Sequence, residues 1–222
     1  KGLDFQPSPM ASANVECTSC HLIPKDEAGI ERFKGRTYRA TDKGCVNCHG
    51  EKYRGLVENW KKSINSELDA LGGKIEETGK ALDDSKAGKS EIAEAKKLFR
   101  EARYNYEFVQ LGKAVHNIYY AARLLALADS NLNKALKITG STQKPLMDNI
   151  LINGNYCALM CHKQLGVKIP AETVMYGKKK MPHTAHLEAG LYCVDCHEFG
   201  KHKEVKLKMK IEESRSCHSE GI

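Results

Sequence analysis

Eight of the nine cysteines in this 222-residue chain fall into four close pairs, and the second cysteine of every pair is followed directly by histidine. The segments are Cys17-Thr18-Ser19-Cys20-His21, Cys45-Val46-Asn47-Cys48-His49, Cys157-Ala158-Leu159-Met160-Cys161-His162 and Cys193-Val194-Asp195-Cys196-His197. With nine histidines in 222 residues, four such coincidences do not arise by chance. Two thiols one helical turn apart can reach the two vinyl groups on one edge of a porphyrin. An imidazole on the next residue then meets the iron from the same side. The chemistry implied is covalent attachment of four haems c, with Cys17, Cys20, Cys45, Cys48, Cys157, Cys161, Cys193 and Cys196 as the thioether cysteines. His21, His49, His162 and His197 are then the proximal iron ligands. The third pair has three residues between its cysteines, a rarer spacing whose trailing His162 supports the same assignment.

Two other chemistries use paired cysteines. A zinc ribbon takes four ligands per ion and has no use for a histidine after each pair. A secreted disulfide scaffold rarely bridges cysteines this close together, and nine is an odd number. Neither explains the histidines.

A low-spin electron-transfer haem takes a second axial ligand, so four haems call for four more. Five histidines compete for those places: His116, His183, His186, His202 and His218. Methionines at positions 10, 147, 160, 175, 181 and 209 could substitute, but the histidine count makes them unnecessary. His183 and His186 stand three apart and are expected to serve two different haems. His202 follows the fourth motif in a lysine-rich stretch, where solvation competes with a ligand role. Cys217-His218, preceded by Ser214-Arg215-Ser216, reads as a haem motif with serine in place of its first cysteine. It can be a fifth haem held by one thioether, a degenerate motif whose His218 serves a neighbouring haem, or a solvated tail.

These ligands need elements to hold them. Between His49 and Cys157 there is no cysteine, and apolar residues recur there at helical spacing. Tyr53, Leu56, Trp60, Ile64, Leu68, Leu71, Ile75 and Leu82 form one stripe, which Gly72-Gly73 interrupts. Residues 83–89 read as a turn, and Ser90 as the N-cap of a second helix with Glu91 and Glu94 near its positive end. That helix runs through Ile92, Ala95, Phe99, Ala102, Tyr106 and Val109, then continues past Gly112 with Ile118, Ala121, Leu125, Ala128 and Leu132. A short loop makes the two helices pack antiparallel. His116 interrupts the pattern with an imidazole on a long rigid element, a suitable mount for a distal haem ligand. The expected fold is mainly α, a multihaem cytochrome with a long central helical hairpin and little or no β-sheet. The organisation is 1–50 as a two-haem segment, 51–140 as the hairpin and 141–222 as a second two-haem segment, packed as one haem-cored unit.

The run from Cys45 to Tyr53 followed by Trp60, then residues 101–109 and 114–125, resembles the helical multihaem c-type cytochromes of metal- and sulfur-reducing microbes. The His116-Asn117 element is similar to the distal-ligand helix of the pentahaem nitrite reductases, which implies a ligand role for His116. The segment 183–197 resembles the small bis-His cytochromes of the c3 and c7 type, in which paired histidines upstream of a motif serve different haems. Nitrite reductases carry a Cys-x-x-Cys-Lys site at their catalytic haem, and this sequence has none. The resemblance implies a periplasmic or extracellular location, since haem is attached covalently outside the cytoplasmic membrane. The start at Lys1, without an apolar leader, reads as a chain whose signal peptide has been removed.

The net charge is +7, from 35 Lys and Arg against 28 Asp and Glu. Four ferric bis-His haems, each adding about −1, reduce this to about +3, so part of the lysine excess neutralises propionates. Nothing in the sequence has the aromatic interleaving of a nucleic-acid surface, and no apolar run is long enough to span a membrane. Electron transfer among closely spaced haems is the function expected, with redox proteins or extracellular acceptors as partners. It is expected either of a diffusing carrier or of a filament, in which the segment 1–16 could reach a neighbour. The filament reading resembles the polymeric extracellular cytochromes. A small reductase with one five-coordinate haem is the remaining alternative.

Overall fold

The computed structural model describes residues 1–5, 7–24, 38–141, 146, 149, 151–152, 160, 162–166, 173–176, 178–188, 191, 196–199 and 205–207. Its centre is a bundle of three long helices: α4 (Leu56–Asp83), α5 (Lys89–Gly112) and α6 (Ile118–Thr139). Short helices outside it include α1 (Pro9–Ser12), α2 (Cys17–Cys20), α3 (Lys43–His49) and α7 (His183–Glu188). Among the described residues, six short strands form three antiparallel two-stranded ladders. These pair β1 (His21–Pro24) with β2 (Tyr38–Ala40), β3 (Thr173–Tyr176) with β4 (Lys179–Pro182), and β5 (His197–Phe199) with β6 (Val205–Leu207). The fold is mainly α, as the periodicity of the sequence predicts.

The apolar stripes meet as expected. Leu56, Ile64, Leu68, Leu71 and Leu82 of α4, Ala95, Ala102 and Val109 of α5, and Ile118, Ala121, Leu125, Ala128 and Leu132 of α6 are all buried. Each fully buried leucine contributes about 1.5–3 kcal/mol. Buried alanines, Ala95 and Ala102 on α5 and Ala121, Ala122, Ala128 and Ala135 on α6, let those two helices pack closely. Leu82, Ala95 and Ala135 close one end of the bundle, while Ile64, Val109 and Ile118 belong to the cluster that fills the rest. The chain therefore runs up, down and up.

Three sequence expectations change. The second helical arm does not continue past Gly112. Lys113 adopts a left-handed conformation (φ 53°), a 3-10 turn spans Ala114–Asn117, and α6 starts anew. The side chain of Asn117 caps it, its Oδ1 accepting the Tyr120 N–H at 3.2 Å. α5 begins at Lys89 rather than after Ser90, with Gly88 as N-cap and the Glu91 carboxylate accepting the Gly88 N–H at 3.0 Å. Gly72-Gly73 does not break α4. A Cβ on Gly72 would lie 3.2 Å from Tyr106 Oη, so the missing side chain makes room for that ring.

The segment before the first motif is not a free arm over its first residues. Leu3 packs on the main cluster. The Lys1 nitrogen donates to Oδ1 of the fully buried Asn105, whose Nδ2 donates to the Lys1 carbonyl at 3.1 Å. Lys1 Nζ stands 5.5 Å over the Tyr104 ring, and Phe5 meets Tyr120 edge-on at 5.9 Å. At the other end, Leu151, Ile152 and Met160 join the main cluster. Gln164 Nε2 donates to the Arg54 carbonyl at 2.8 Å, which ties the region of the third motif to the start of α4.

The helical core also contains charge. Lys74 of α4 pairs with Asp129 of α6 at 2.5 Å, both side chains 3% exposed, and also donates to Asn133 Oδ1 at 2.7 Å. Asn133 Nδ2 returns a bond to Asp129 at 2.9 Å. Glu67, one face-repeat before Lys74, is fully buried, and neither of its carboxyl oxygens has a hydrogen-bond partner among the described residues. Burial, followed by the Asp129 charge, pushes its carboxyl up to about 7 against the pull of Lys74.

Two outcomes follow for this core. A carboxyl raised from 4.5 to about 7 favours the native state fully below pH 4.5. That contribution is lost as pH rises through 7, a change of about 3 kcal/mol. Glu67→Gln should therefore match the parent chain in denaturant titrations near pH 4 and exceed its stability by up to about 3 kcal/mol at pH 8. Asp129→Ala strands the Lys74 ammonium in the core and should cost about 3–5 kcal/mol in the same titration at neutral pH.

Candidate haem-binding sites

Each N-terminal motif folds as one turn of helix, which puts its two thiols on the same side. Cys17 and Cys20 open and close α2, and Cys45 and Cys48 lie within α3. None of the four is in a disulfide. Cys17 and Cys48 are exposed, while Cys20 and Cys45 are half-buried and near each other. Burial, with the Cys20 thiol and the Asp42 carboxylate nearby, pushes the Cys45 thiol up. Among the described residues no three His, Cys, Asp or Glu side chains converge on an ion site, so these thiols are not gathered as a zinc ribbon gathers them. Gly50 ends α3 with φ 86°, turning the chain sharply away after His49.

His21 is the first residue of β1, and its ring faces that of His116, with centroids 6.4 Å apart and planes 22° from parallel. Two imidazoles that each hold one metal ion through a nitrogen about 2 Å away have ring centres about 6 Å apart. At this separation both rings would be near enough to hold one iron between them, were a haem attached at the first motif. The break between α5 and α6 makes this geometry. His116 lies in the 3-10 turn rather than on the long helix the sequence suggested, and the turn holds its ring exposed at the bundle end. Its Nδ1 lies 3.4 Å from the Gly112 carbonyl, a long hydrogen bond that leaves Nε2 directed elsewhere, as in histidines that ligate metals.

A second pair has the same form. His197 opens β5 as His21 opens β1, and its ring centre is 6.1 Å from that of His183, at 55°. Burial and the neighbouring His183 push the His197 imidazole down, towards the neutral form that binds metal. His183 and His186 share the single long turn of α7, and the Nδ1 of His186 lies 2.8 Å from the Pro182 carbonyl.

His49 stacks on Tyr53, ring centres 4.7 Å apart and 26° from parallel. Sequence reading placed Tyr53 in the apolar stripe, but the chain leaves α3 by a 3-10 turn over Glu51–Tyr53 that returns the ring to the histidine. His162 is half-buried. Met160, within the third motif and one of the alternative ligands, is in the apolar cluster, 7% exposed. Cys157, Cys161, Cys193, His202, Cys217 and His218 lie outside the described residues.

The residues present fit haem: thiols in pairs on single helical turns, and two histidine pairs at the separation one iron imposes. No helix among the described residues is long and apolar enough to cross a membrane. No curated protein and no solved structure matches the chain. A family model described as cytochrome c552 matches residues 4–152, a span that takes in both N-terminal motifs, the three-helix bundle and His116 and stops before Cys157. Covered over well more than half its length by that match, the chain belongs to the cytochrome c552 family of c-type cytochromes.

Proposed function

We propose that this protein transfers electrons through four covalently attached haems c, one at each Cys/His motif, each with two histidine ligands. The observation that carries the reading is the 6.4 Å pairing of His21 with His116, supported by the 6.1 Å pairing of His183 with His197. His21 and His116 are assigned to the haem of the first motif, His183 and His197 to that of the fourth. His49 and His162 are the proximal ligands of the other two, with His186 and His202 as their distal partners. Cys217 and His218 stand outside these four assignments.

The haem, when bound, supplies a one-electron iron couple, and all-histidine ligation holds its potential low relative to His/Met ligation. The chain's residues do the rest. Thioether cysteines fix each porphyrin edge, the turn at Ala114–Asn117 presents a ligand from the bundle, and backbone carbonyls at Gly112 and Pro182 orient imidazoles through Nδ1. A periplasmic or extracellular location accords with covalent haem attachment. Redox proteins or extracellular acceptors are its partners. Residues 1–5 lie on their own bundle, which favours the diffusing carrier over the filament reading. The sequence has no Cys-x-x-Cys-Lys motif, so no site of nitrite-reductase type is assigned.

The test is spectroscopic. The purified haem-loaded chain should show only six-coordinate, low-spin iron in electronic absorption and electron paramagnetic resonance. His116→Ala and His183→Ala should each convert one haem in four to a high-spin or differently ligated form, and the double variant two. Spectra unchanged in both single variants would remove the ligand pairing. His116→Met should raise the midpoint potential of one haem and leave the other three near their original values in a redox titration.

A further inference from the structure

The two helices that carry the first and second motifs touch backbone to backbone, and the contact is made at Gly44. A Cβ on this residue would lie 2.4 Å from the Ser19 carbonyl oxygen, 3.0 Å from Cys20 Cα and 3.3 Å from the Ser19 carbonyl carbon. All three are main-chain atoms of α2, so no side chain can swing away to accommodate it. Gly44 is the one buried residue of α3. Two further links hold the approach on the same side. The Thr41 N–H donates to the Cys20 carbonyl at 3.4 Å, and His21 pairs with Ala40 across the β1–β2 ladder.

The neighbours of this contact give it a purpose. Cys20 is the second thiol of the first motif, and Cys45, next to Gly44, is the first thiol of the second. On the reading of these motifs as haem-attachment sites, on which this inference rests, each porphyrin is fixed by the edge that carries its thioethers. The separation of the two edges is then set where α2 meets α3. We infer that Gly44 is a positioning residue, whose missing side chain fixes the spacing of the first two haems and so the strength of their electronic coupling. Any larger residue must open the contact by about 1 Å to reach ordinary van der Waals separation from Ser19. Haem coupling weakens with that separation.

The haem-loaded full chain tests this by the exciton couplet of its Soret circular dichroism, with haem content read from the pyridine haemochrome of the same sample. Gly44→Ala should keep full haem content and low-spin spectra while losing part of the couplet, and Gly44→Val should lose more. The double variant Cys45→Ser/Cys48→Ser, which removes the second attachment, should abolish the same component, and it serves if Gly44→Ala does not mature. A couplet equal to the parent's in Gly44→Ala at full haem content, or one surviving intact in the double variant, overturns the role of Gly44. A parent chain without covalent haem would instead overturn the underlying reading.

Discussion

An iron in a porphyrin has two axial positions on opposite faces, so the imidazoles that fill them must approach from opposite sides and stop about 6 Å apart, ring centre to ring centre. Segments as short as the N-terminal motifs cannot supply both. The structure brings His21, at the end of one motif helix, to 6.4 Å from His116 at the end of the bundle, a separation that accords with the proposed ligand pair. A ligand pair of this kind, as proposed, would join elements that share little core of their own. The motif helices α2 and α3 have almost no buried side chains, and α3 is tied to the start of α4 by the Gly55 N–H donating to the Asp42 carboxylate at 2.7 Å.

The bundle supplies rigidity for that pairing. Three apolar stripes form its interior, and small residues on α5 and α6 bring those helices close. The Lys74, Asp129 and Asn133 network crosses from α4 to α6 in an otherwise largely apolar interior. Two charges at 3% exposure match in one register only, since a displaced register would leave both desolvated and unpaired. The cost is a neighbouring carboxyl, Glu67, held near its own titration point. The break after Gly112 is placed where the register so fixed delivers His116 to the bundle end.

Much of this was legible in the residues, for physical reasons. Haem attachment is local chemistry, so each motif announces itself over five or six residues. Amphipathic helices repeat every few residues, and the stripes from Leu56 to Leu82 and from Ile118 to Leu132 were read correctly as core. What depended on contacts between distant parts was not. Gly44 reads as an ordinary glycine until α2 is set against it. Gly72 suggested a break, and instead accommodates Tyr106. Glu67 and Lys74 fall on the buried face of α4, where charge would be predicted outward. The turn around His116 had a signal in Gly112 and in Asn117 as a helix cap, outweighed by apolar periodicity on both sides. The partner of each histidine is a tertiary fact that no spacing along the chain encodes.

The central claim is that this chain is built to enclose covalently bound haem at four places. The intact mass of the natively matured chain, taken under denaturing conditions that strip any non-covalent group, tests it most directly. The account predicts the 24.7 kDa polypeptide plus four haems. The mass of the bare polypeptide would contradict it.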